Sequence, residues 1–117
     1  TPYYQKALSL DANSLEANLY YGVNFIAEME NVESEMLKNH ASDAEINKYS
    51  SEKLDAALPY LRKAFAVDEK HENSDIANVL TQILYRKFSP SNAPNRAALI
   101  QEYNTVADAY GRPGYNN

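Results

Sequence analysis

The chain has 117 residues, a net charge of −5, 44% hydrophobic and 23% charged residues, and no cysteine. That is room for one globular domain and not for two. The acidic balance argues against a nucleic-acid binder, which presents a basic surface, and the missing cysteines exclude disulfides, thiolate metal sites and Cys nucleophiles.

Taken in chain order, Pro2 to Leu10 places Tyr4, Ala7, Leu8 and Leu10 at helical spacing, and Ala12-Asn13-Ser14 breaks the pattern with a cap. From Leu15 onward the pattern is apolar on two sides. Leu15, Leu19, Val23 and Ile26 form one stripe; Tyr21, Phe25 and Met29 form another. Gly22 costs about 1 kcal/mol against Ala in a helix interior, which predicts a neighbouring helix passing close to it. Asn31 to Ser50 is polar, without Gly or Pro. Helix is expected to about Lys38, with a turn near Asn39 to Ser42. A new helix then starts on Ser42-Asp43-Ala44-Glu45, which has capping-box spacing. It is expected to run through Pro59 to Val67 as one long helix, bent at the proline. Asn73-Ser74-Asp75 caps the next, where Ile76, Val79, Leu80, Ile83 and Leu84 keep an unbroken helical period. Ser89 to Pro94 is a loop by composition. The last helix spans Asn95 to about Tyr110, stopped by Gly111 and Pro113, with a frayed tail to Asn117. No strand pattern occurs, so the fold class is all-α. No apolar run approaches the roughly 18 residues of a membrane span.

Pro2-Tyr3-Tyr4-Gln5-Lys6-Ala7-Leu8-Ser9-Leu10-Asp11 returns as Pro59-Tyr60-Leu61-Arg62-Lys63-Ala64-Phe65-Ala66-Val67-Asp68. Pro, Tyr, Lys, Ala and Asp recur at the same places. Recurrence of this kind marks helical units that bury their faces by stacking. Ala57, Leu61 and Ala64, with Tyr4 and Ala7 in the earlier copy, and Tyr21, Gly22 and Phe25 on the preceding helix, resemble tetratricopeptide repeats. The repeat of that family is about 34 residues. The two copies lie 57 positions apart, so the excess is placed between Asn31 and Lys53.

The resemblance implies antiparallel helix hairpins stacked as a short right-handed superhelix, an α-solenoid fragment in a single domain. Residues 1–12 would be the second helix of a truncated repeat, and residues 15–68 a full repeat with an insertion at 31–53. Residues 73–110 would be a degenerate terminal repeat and 111–117 a tail. The family binds protein segments in a groove lined by the first helix of each repeat. Carried over by register, groove residues are Glu16, Leu19, Tyr20, Val23 and Ile26, then Ala77, Thr81, Leu84 and Tyr85. The implied function is a non-enzymatic scaffold for a peptide or partner helix. The Lys, Asn and Arg clamp used by chaperone-binding members is absent, since Leu19, Tyr20 and Val23 hold those positions. A structural alternative stays open, in which the groove is filled by the insertion or by a second copy. So does a small-molecule or glycan site on Tyr20, Tyr21 and Tyr60. The apolar face of Tyr4, Ala7 and Leu8 points to a homodimer.

No cofactor or metal is expected. His40 and His71 lie in polar segments without ligand-spaced companions and are expected to be solvated. Glu28, Glu30, Glu33 and Glu35 are expected to form a solvated helix face. The start at Thr1, inside a helical pattern, suggests a piece of a longer protein. Cytoplasm and periplasm both fit a soluble chain of this composition.

Overall fold

The computed structural model describes residues 6–8 and 11–116, and among these every regular element is helical. Four helices follow one another: α1 (Leu15–Lys38), α2 (Asp43–Val67), α3 (Ser74–Phe88) and α4 (Arg96–Ala109). Residues 6–8 are also helical; Tyr4 and Leu10 of the first repeated stretch lie outside the described residues.

Local chemistry fixes the helix ends. The Ser14 hydroxyl accepts from the Ala17 N–H at 3.1 Å and starts α1. Ser42 and Glu45 form the full capping box, with the Glu45 N–H on Ser42 Oγ and the Ser42 N–H on Glu45 Oε1. Asn73 caps α3 through the Asp75 N–H. Pro59 lies within α2 and does not end it; its ring is on the exposed side. At the end of α4, Gly111 takes a φ of 68°. The Gly111 and Arg112 N–H groups close on the Asp108 and Ala107 carbonyls, a Schellman ending.

Cross-helix pairs give the directions. Tyr21 meets Tyr60, Glu28 meets Lys53 and Glu33 meets Ser50, so numbers rise on α1 as they fall on α2. The same reasoning makes α3 antiparallel to α2, from Lys87 on Asp55 and Asn73 on Asp68. It makes α4 antiparallel to α3, from Phe88 against Tyr103 and Asn78 with Arg112 just beyond α4. Thus α1 runs parallel to α3, and α2 parallel to α4. The molecule measures 43 × 39 × 19 Å, and its short axis suits two helix layers.

The core lies between those layers. Leu19, Met29, Leu61, Ile76, Leu80 and Phe88 are all but sealed from solvent. Ala57 and Ala64 are fully buried where α2 approaches its neighbours. Gly22 lets α1 and α2 close: a Cβ there would overlap Leu61 Cδ2 and sit 3.5 Å from the Ala57 carbonyl oxygen.

Residues 31–53 build the distal ends of α1 and α2, zipped by Glu33 with Ser50 and, at the base, Glu28 with Lys53. With 24 and 25 residues against 15 and 14, the first hairpin overhangs the second by about 14 Å at 1.5 Å per residue.

The tail is docked rather than frayed. The Tyr115 ring sits 4.8 Å from Phe88. The Asn104 amide donates to the Tyr115 carbonyl and accepts its N–H at 2.6 Å. Gly114 permits this approach, since a Cβ there would stand 2.7 Å from Asn104 Oδ1. An aromatic with a shelf to land on, and a paired backbone, outweigh the ordinary fraying of an end.

Candidate functional site

Sequential helices pack along each other, whereas α1 and α3 approach less closely. Arg86 crosses the gap between them. Its Nη2 donates to Glu33 Oε2 at 2.9 Å and its Nη1 lies 3.8 Å from Met29 Sδ. The two helices therefore lie side by side, joined by a charged bridge toward one end.

Helical spacing then assigns the walls. On α3 the stripe shared with Arg86 is Gln82, Val79 and Asp75, at i−4, i−7 and i−11. Asp75 and Gln82 are exposed and Val79 is half-buried. On α1 the wall is Glu16, Val23 and Glu30, with Tyr20 farther round at 37% exposure. Counting back along parallel helices from Met29 opposite Arg86, Val79 comes level with Gly22, next to Val23, and Asp75 with Asn18.

The groove residues expected from the sequence separate into two groups. Glu16, Tyr20, Val23, Thr81 and Tyr85 keep some surface, but Leu19, Ile26, Ala77 and Leu84 are buried in the core and offer a ligand nothing to touch. The α3 members do not face α1. Tyr85 turns to Phe88 and Tyr115, at 5.4 and 6.2 Å, and with it Ala77, Thr81 and Leu84 lie on the side toward α4 and the tail. A register carried over from α1 does not hold on α3; the residue α3 directs at α1 is Arg86. A long, flexible cation in a last helical turn reads in sequence as a dipole partner, so nothing in the pattern announces its reach.

Glu33 does not share the solvated face of its neighbours. Burial pushes its carboxyl up, but hydrogen bonds from Ser50 and Arg86 and the Arg86 charge outweigh that and hold it below the usual range. Its side chain is 17% exposed and that of Arg86 37%. Arg86→Met should leave Glu33 half-buried with only Ser50, costing about 1 kcal/mol after allowance for solvent screening on the Arg side. Urea unfolding would measure it. An unchanged midpoint would mean the bridge contributes nothing.

Of the three tyrosines in the alternative glycan platform, Tyr21 and Tyr60 are engaged with other rings, while Tyr20 is 37% exposed. Tyr21 and Tyr60 stack on each other at 4.6 Å with 26° between planes, and Phe25 stacks on Tyr21 at 5.1 Å. These three rings stack against one another. Among the described residues no cluster of three His, Asp or Glu could hold a metal ion.

A separate cleft of 990 Å³ opens beneath the overhang, between α2, the end of α3 and the loop before α4. Arg62, Arg86 and Lys87 line it, and each is already paired, with Glu102, Glu33 and Asp55 respectively.

His40 is exposed, as expected, but His71 is only partly so. Its ring stacks on Phe65 at 5.3 Å and meets the edge of Tyr110 at 5.4 Å, and its Nδ1 is buried without a partner. The cause is the turn between α2 and α3. There His71 takes a φ of 52° and its N–H returns to the Asp68 carbonyl, which swings the ring inward.

The chain matches no protein-family model, no curated protein and no solved structure.

Proposed function

We propose that this chain is a non-enzymatic interaction scaffold of tetratricopeptide type that docks a peptide or partner helix in the furrow between α1 and α3. One observation carries the reading. Two parallel helices meet less closely than sequential neighbours and are bridged by Arg86, and Val23 and Val79, which helical spacing assigns to their adjoining sides, are only half-covered beside buried Leu19, Ile26 and Leu80. An amphipathic segment binds such a surface by laying apolar side chains at helical spacing into the gap. The antiparallel hairpins, with α1 alongside α3 and α2 alongside α4, support the repeat reading. So does the burial of Ala57, Leu61 and Ala64, the residues on which the resemblance rests.

The test is a display selection of helical peptides on the immobilised chain, followed by mapping of the winners by amide chemical shifts. Shifts centred on Val23, Val79 and Gln82, and affinity lost in Val23→Ser, are expected. Winners that map to the cleft beneath α2, or that ignore Val23→Ser, would remove the furrow as the site.

A further inference from the structure

Resting on that reading of the furrow, we propose that its occupant is a cationic amphipathic segment: apolar on one face, with Lys or Arg along its flanks. The charges on the two walls carry this. Glu16 and Glu30 stand on the α1 wall and Asp75 on the α3 wall, and none of them makes an ion pair among the described residues. The cation that reaches the furrow, Arg86, is held by Glu33. A segment lying between these walls therefore has its apolar face on Val23 and Val79 and meets carboxylates without an ion-pair partner on both sides. An acidic or neutral flank would leave three charges partly dewetted and unpaired, whereas Lys or Arg would pair with them.

The same charges decide against the other occupants. Helix α1 bears Glu16, Glu28, Glu30, Glu33 and Glu35 against Lys38 alone, and the whole chain is at −5. Two copies meeting furrow to furrow would bring like charge onto like charge. Nucleic acid would be repelled outright.

Three synthetic helical peptides of about four turns test the idea by fluorescence anisotropy. One has a Leu stripe flanked by Lys, one the same stripe flanked by Glu, and one the Lys flanks with Ser in place of Leu. The Lys/Leu peptide should bind at least about tenfold tighter than the Glu/Leu peptide at low salt, and the preference should shrink as salt is raised to about 0.3 M. The exposed triple variant Glu16→Gln, Glu30→Gln, Asp75→Asn should abolish the preference while leaving the circular dichroism spectrum unchanged. Equal or tighter binding of the Glu/Leu peptide, still lost in Val23→Ser, would overturn the cationic occupant and leave the furrow as a docking site. Binding of the Lys/Ser peptide as strong as that of Lys/Leu would reduce the effect to unspecific charge attraction and overturn it too. If neither Leu peptide binds, the docking reading falls with the inference. A dimer by sedimentation that Glu30→Lys disrupts would make a second copy the occupant instead.

Discussion

Gly22→Ala is expected to destabilise the protein, although alanine is the better helix former. The propensity term favours Ala by about 1 kcal/mol. Against it stands Leu61, fully buried, whose Cδ2 occupies the place of the new methyl group, with the Ala57 carbonyl oxygen 3.5 Å away behind it. Leu61 cannot swing aside without displacing a packed core, and overpacking of this kind costs about 1–3 kcal/mol, or about 0–2 kcal/mol once the propensity gain is subtracted. For a domain of this size that lowers Tm by roughly 3–6 °C per kcal/mol. The decisive measurement is a double-mutant cycle. Leu61→Ala alone should cost about 2–5 kcal/mol. In its background Gly22→Ala should become neutral or slightly stabilising, because the methyl then fills space that Leu61 has vacated. An equal penalty in both backgrounds would mean that helix contact at Gly22 is not what the glycine is for.

That close contact is legible in the sequence, and so is most of the chain's punctuation. A glycine in the middle of an apolar helix weakens the helix, and a neighbour that needs the missing side chain's space offsets the cost. Ser42 with Glu45, Asn73, and Gly111 are local signals whose chemistry completes itself within a few residues. For that reason α1 ends at Lys38, α2 starts at Asp43 and α3 follows Asn73 as their sequences indicate. Ala57, Leu61 and Ala64 are buried as a small-large-small set should be where helices pack closely.

What the pattern could not supply is which neighbour meets which side of a helix. Periodicity on α3 separates buried from exposed, but it does not say that Arg86 looks toward α1 and Tyr85 toward the tail. That depends on the order in which helices stack, and a shift of one position turns the face by about 100°. The same limit applies to Glu33, which sits in a run of Glu and is told apart only by Ser50 and Arg86, 17 and 53 residues away in sequence. Tyr115 docks on Phe88 and Asn104, partners no local window contains. His71 turns inward because of a left-handed backbone, a conformation that His tolerates and does not advertise.

Asp68→Ala should be among the most damaging single changes in the chain. Asp68 follows the last residue of α2 and is only 8% exposed. Its Oδ2 accepts the Tyr110 hydroxyl at 2.7 Å and the Asn73 N–H at 3.1 Å, and its Oδ1 accepts the Glu72 N–H at 3.4 Å. One carboxylate thus ties the end of α2, the start of α3 and the end of α4. Removing it strands several donors, two of them on the turn and one on a half-buried phenol, for a loss of about 3 kcal/mol or more. The pH dependence has a definite sign. Burial pushes the Asp68 carboxyl up, but the hydrogen bonds from Tyr110, Asn73 and Glu72 and the nearby His71 prevail and leave it below its ordinary value. Its contribution is therefore present above the unfolded carboxylate pKa of about 3.9 and is lost as pH falls through the lower folded value. Tyr110 works at the other limit. Burial, with the Asp68 hydrogen bond and charge, raises its phenol, so that stability is held below about pH 10 and declines as pH climbs beyond it. Asp68→Asn keeps one acceptor and should cost less than Asp68→Ala, while making the acid limb of the stability profile shallower; Glu33 supplies part of what remains. Tyr110→Phe should flatten the alkaline limb. Urea midpoints from about pH 2 to about pH 11 give both limbs in one series, and an acid limb in Asp68→Asn as steep as in the parent chain would remove this carboxylate as the tie among the three helices.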